Sequence, residues 1–150
     1  MLKESISLQI KEAMKSGDKL RLETLRSIRA SIIEFEKSGV DREMTTDDEI
    51  SILTSLVKKR KDAAEQYSKA GRNDLSEKET KELEIIQTFL PKQLSREEIE
   101  EIINKLITLV NAKSMSDLGK VMGPAMTELK GRADGKIVNE IVKLKLSANA

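Results

Sequence analysis

Apolar residues return at spacings of three and four along almost the whole chain, and no stretch sustains the alternation of a strand. Leu2, Ile6, Ile10, Ala13 and Met14 share one face of a helix predicted over 2–15, with Gly17 ending it. Asp18 then stands as the N-cap of a second helix reaching about residue 37, whose apolar face is Leu22, Leu25, Ile28, Ile32 and Phe35. After Gly39, Thr46-Asp-Asp-Glu49 has the form of a capping box and opens a third helix to about residue 70. Ile50, Leu53, Val57, Ala64 and Tyr67 make its buried stripe. A fourth helix, capped by Asp74 and ending at Leu90, turns Leu83, Ile86, Phe89 and Leu90 inward.

Pro91 ends that pattern, because a proline there removes a helical hydrogen bond and its ring meets the preceding turn. Ser95-Arg-Glu-Glu98 is a second capping box, followed by helices predicted over 96–110, 117–129 and 135–146. The expected architecture is all-α. A four-helix, bundle-like unit over 1–91 joins a smaller three-helix unit over 92–150, with the boundary near 92–94.

Composition fits this reading. Hydrophobic residues make up 38% of the 150 and charged residues 35%, which suffices for a thin core between amphipathic helices. The aromatics are Phe35, Tyr67 and Phe89 alone, so the core is built from aliphatic side chains and methionine. No run approaches the roughly 20 apolar residues of a membrane span. Residues 1–15 are interrupted by Lys3, Glu4, Lys11 and Glu12, which does not suit a signal peptide. With no cysteine, the chain is expected to be soluble and cytoplasmic.

The same absences narrow the chemistry. Without cysteine or histidine there is no thiolate nucleophile, no imidazole base and no Cys/His metal site. No nucleophile–base pair can be placed, so no catalytic residue, metal or cofactor is assigned. The acidic run Glu97-Glu98-Ile99-Glu100-Glu101 reads as a helix start, where carboxylates suit the dipole.

Net charge is +1, so any attraction to nucleic acid has to be local. From Lys105 onward eight cations face four anions. Four of the seven glycines lie at 119, 123, 131 and 135, beside Lys120, Lys130, Arg132 and Lys136. Gly119 and Gly123 read as packing glycines, Gly131 as a helix terminator, and Asp134 as the cap of the next helix. Backbone N–H groups at that helix start, flanked by Arg132 and Lys136, would suit a phosphate. The alternative is a plain interhelical connection. Lys58, Lys59 and Arg60 form a basic run in the third helix, and Arg26 with Arg29 lies on the second. These could extend a phosphate-facing surface or simply be solvated helix faces.

Four ordered blocks resemble the YqeY family: Leu25-Arg-Ser-Ile-Arg-Ala30, Ala70-Gly-Arg-Asn-Asp-Leu75, Leu90-Pro-Lys-Gln-Leu94 and the glycine-rich stretch 118–136. That family is similar to the tail domain of GatB, a subunit of tRNA-dependent amidotransferases. The resemblance implies a helical bundle followed by a compact three-helix unit, and a role in contacting tRNA away from the chemistry. It implies no ammonia-transferring core, so a carbon–nitrogen ligase label would describe a neighbour's activity. The function expected is a non-catalytic module binding tRNA or another structured RNA by shape and phosphate contacts. The alternative is an adaptor docking on an amidotransferase-like or translation-related protein, with Met122 and Met126 as adaptable contacts.

Overall fold

A computed structural model of the protein describes residues 1–148; the last two residues of the unit expected over 92–150 lie outside the described residues. Every regular element among them is helical: α1 (Leu2–Ser16), α2 (Lys19–Lys37), α3 (Thr46–Lys69), α4 (Asn73–Gln87), α5 (Arg96–Leu109), α6 (Leu118–Leu129) and α7 (Gly135–Ala148). A 3-10 turn, Met115–Asp117, leads into α6. The chain divides into two compact units, Met1–Leu90 and the residues from Pro91 onward, each with its own core. None of these helices is long and apolar enough to cross a membrane.

In the first unit Ile6, Leu25, Ile28, Ile32, Leu53 and Ile86 are fully enclosed, and each contributes about 1.5–3 kcal/mol through burial. The stripe on α1 closes with Ala13. Met14 lies one position beyond it and is 58% exposed, which removes it from the expected core face. Asp18 caps α2 as expected, accepting from the Arg21 N–H. Helices α3 and α4 form an antiparallel hairpin, since Arg60 meets Glu82 while, farther along α3, the Ala64 carbonyl accepts from Ser76 Oγ. Arg60 also donates from Nη2 to Ser27 Oγ at 2.8 Å, tying α3 to α2.

The α3 capping box stands one residue earlier than the sequence pattern suggested. Thr45 is the N-cap, and Asp48 closes back on its N–H. Glu49 is committed elsewhere: its Oε1 accepts the Leu2 N–H at 3.1 Å and so satisfies one of the open donors of α1. Asp74 does not cap α4. The helix begins at Asn73 with Arg72 in the cap position, and Asp74 folds onto the Arg72 guanidinium. Helix α4 also stops at Gln87 instead of Leu90. Residues 88–90 continue as tighter turns bonded three residues back, consistent with the bias against helical geometry just before Pro91.

Arg42, with the Thr45 N–H and hydroxyl, holds the Asp48 carboxyl well below the usual carboxylate range. Its stabilising effect is therefore complete above the unfolded-state value, about 3.9, and is lost as pH falls below it. Urea midpoints measured from pH 5 to pH 2 should fall less steeply for Asp48→Asn than for the parent chain. Parallel curves would show that Asp48 is not linked to folding.

In the second unit Ile99, Ile103, Val121, Leu129, Val138, Ile141 and Leu146 form the core. Ser95 caps α5 in a complete capping box with Glu98. The acidic run is occupied structurally there: Glu98 accepts the Ser95 N–H and Glu100 pairs with Arg96.

Candidate nucleic-acid interface

Helix α6 ends at Leu129, and the chain reverses through Lys130 into Gly131, whose φ of 76° is the left-handed geometry that glycine adopts without strain. The N–H groups of Arg132 and Ala133 return to the Leu129 carbonyl at 2.9 and 3.2 Å. Two bonds from the segment 91–95 hold the far side of this loop. Gln93 Nε2 donates to the Gly131 carbonyl at 2.7 Å. The Leu94 N–H donates to the Arg132 carbonyl at 2.9 Å. Asp134 then caps α7, its Oδ1 accepting the Lys136 N–H at 3.0 Å.

This geometry changes the phosphate reading. The start of α7 already holds an anion of its own, the Asp134 carboxylate, so an incoming phosphate would meet like charge there. The cationic side chains are the better candidates. Lys130 and Lys136 are exposed, and Arg132 is half-buried with Nη2 donating to the Glu128 carbonyl at 3.0 Å, a cap on the end of α6. Among the described residues none of these three cations has a carboxylate within ion-pair distance. Lys120 lies ten positions before Lys130, about 15 Å away along the helix. Its ammonium pairs with Asp117 at 3.3 Å, where the Lys113 N–H and Lys120 together hold the Asp117 carboxyl below its ordinary range.

The expectation that Gly119 and Gly123 are packing glycines is corrected. A Cβ built at either position meets nothing within 4 Å, and both residues are exposed. Close approach occurs instead at Gly135, where an added Cβ would lie 3.0 Å from Met126 Cε. Gly123 has a different local reason. It precedes Pro124 inside α6, and lacking a Cβ it avoids part of the clash that a proline imposes on the residue before it. Met122 packs against the core, while Met126 is 43% exposed.

In the first unit Arg26, Arg29, Lys58 and Lys59 are exposed on α2 and α3. Arg60 differs from them. Its Nε lies 3.1 Å from Glu82 Oε2 and only 11% of its side chain is exposed, so its charge is committed inside the unit. The sequence run Lys58-Lys-Arg carries no sign of this, because the partner lies 22 residues away on α4.

The family model for Yqey-like protein matches residues 3–146. The chain belongs to the YqeY family. It is 31% identical over 143 residues to altered inheritance of mitochondria protein 41, mitochondrial, of Pyrenophora tritici-repentis, covering 92% of this chain and 77% of that protein. It is 30% identical over 124 residues to the E subunit of glutamyl-tRNA(Gln) amidotransferase from Methanococcus vannielii, and 32% identical over 139 residues to its counterpart from Thermococcus gammatolerans. Those matches cover 80% and 90% of this chain but 20% and 22% of the amidotransferase polypeptides. The YqeY chain thus spans about a fifth of the amidotransferase polypeptides it matches, as a helical module related to part of them.

Proposed function

We propose that this YqeY protein is a non-catalytic module that binds tRNA or another structured RNA through phosphate and shape contacts. The observation that carries the reading is Lys130, Arg132 and Lys136 gathered around one pinned loop, without carboxylate partners among the described residues, on a chain of net charge +1. Lys120 is a fourth cation on α6, exposed but already paired with Asp117, and so a weaker candidate. Within the first unit, Arg26, Arg29, Lys58 and Lys59 are separate candidates for phosphate contact, and Arg60 is set aside because its charge is already matched. With only three aromatic residues in the chain, base stacking has little to work with, and backbone recognition is favoured. The relatives named for glutamyl-tRNA(Gln) amidotransferase support a tRNA as the first ligand to test. The name amidotransferase belongs to those much longer polypeptides, and no residue of this chain is given a part in that reaction.

The test is a salt titration of binding to bulk tRNA. Lys130→Ala with Lys136→Ala removes two exposed cations without touching the Arg132 cap. It should weaken binding and reduce the slope of log K against log salt by about 1.4–1.8. An unchanged slope would overturn the site, and no binding by the parent chain at low salt would overturn the function. A second reading, docking on a protein partner, draws on the 43% exposure of Met126 and the open helix face at Gly119 and Gly123. A complex surviving nuclease and moderate salt would favour it.

A further inference from the structure

The loop that carries Lys130, Arg132 and Lys136 does not hold its shape by its own bonds alone. Two successive carbonyls, those of Gly131 and Arg132, are taken by two successive residues of the 91–95 segment. The Gln93 amide bridges the two stretches, since Nε2 donates both to Gly131 at 2.7 Å and to Pro91 within its own segment at 3.0 Å. Leu94 anchors the same segment by packing on the core of the second unit. Gly131 is the flexible point of the loop, a left-handed glycine that is itself buried, so the donor on its carbonyl restrains the torsions between Lys130 and Arg132.

We infer that Gln93 is a positioning residue for this basic loop, setting the spacing of Lys130 and Arg132 before any ligand arrives. The inference rests on the RNA reading for its functional consequence. Its structural part stands without it. A loop already ordered loses less conformational entropy on binding, and freeing one residue that must then be re-ordered costs about tenfold in affinity. Gln93 is exposed and adds no charge, so its effect on binding would differ in kind from that of the cations.

Gln93→Met keeps the length of the side chain and removes both donors. Amide exchange in this variant should quicken at Leu94, Arg132 and Ala133 while the amides of α5 and α7 keep their protection. Affinity for bulk tRNA should fall about tenfold, with the salt slope unchanged because no phosphate contact is lost. Gln93→Asn, too short to reach Gly131, should behave alike. Unchanged exchange in both variants would overturn the inference whether or not the parent chain binds RNA. Faster exchange with parental affinity would overturn the functional part, and a reduced slope would overturn the purely entropic cost by showing that Lys130 or Arg132 has lost its phosphate contact. Failure of the parent chain to bind tRNA would sink the RNA reading alone, leaving the exchange result to decide the positioning role.

Discussion

Arg60→Ala is expected to lower the stability of the first unit by about 2–3 kcal/mol, because it removes one member of a largely enclosed ion pair. The guanidinium serves three helices at once, reaching Glu82 on α4 from α3 while donating to Ser27 on α2. Removing one member of a buried pair strands the other, and such losses run to about 3–5 kcal/mol. The side chains of Arg60 and Glu82 keep 11% and 13% exposure, which lets water reach the abandoned carboxylate and moves the figure downward. Replacing both with methionine should recover most of the loss, because no charge is then left without a partner. Urea denaturation of the two variants checks this. A double variant no more stable than Arg60→Ala would show that the charge is not the cause. Arg60→Met/Glu82→Met should also leave the salt slope of RNA binding as it was.

Pro124→Ala should act in the opposite direction. A proline at the seventh position of α6 leaves the Lys120 carbonyl without its backbone donor and strains the preceding turn. Relief of that cost, reduced by the extra freedom of the unfolded chain, should stabilise the second unit by about 1–3 kcal/mol. Gly119→Ala should add about 0.5–1 kcal/mol, since nothing occupies the space of its Cβ. Gly123→Ala alone should gain less than Gly119→Ala while Pro124 is present, and should gain its full share once Pro124 is replaced. That dependence is a coupling energy measurable by a double-mutant cycle. In a unit of this size each kcal/mol moves the melting temperature by about 4–8 °C. Additive behaviour at 123 and 124 would refute the steric explanation. If these variants are more stable yet bind RNA or a partner less well, the open face of α6 is retained for contact rather than folding.

The helical class was legible because period and capping agree along the chain. Asp18, and Ser95 with Glu98, cap as their spacing implied. The misplaced caps share a cause, which is competition for a carboxylate by a partner distant in sequence or by an adjacent cation. Glu49 had the right spacing from Thr46, but the Leu2 N–H claims it, and Asp48 does the capping instead. Asp74 had the right residue type, but Arg72 beside it offered a bidentate partner. For the basic loop, the sequence showed which cations cluster and which residues turn the chain. It could not show that Arg60 faces inward, that Gly119 faces open space, or that Gln93 reaches across 38 residues to Gly131. The first and last depend on side chains meeting across separate helices or segments, and the second on which face of α6 its neighbours leave open.

The bond from Leu2 to Glu49 bears on the order in which the first unit assembles. During synthesis α1 emerges first, yet a donor in its opening turn waits for an acceptor 47 residues farther along. Until α3 has left the ribosome, the Leu2 N–H lacks that acceptor and the opening turn is tied only to α2, through Lys3 and Glu36 at 2.7 Å. The start of α1 therefore registers the arrival of α3, and the Leu2 amide should reach its full protection only after residue 49 is free to fold.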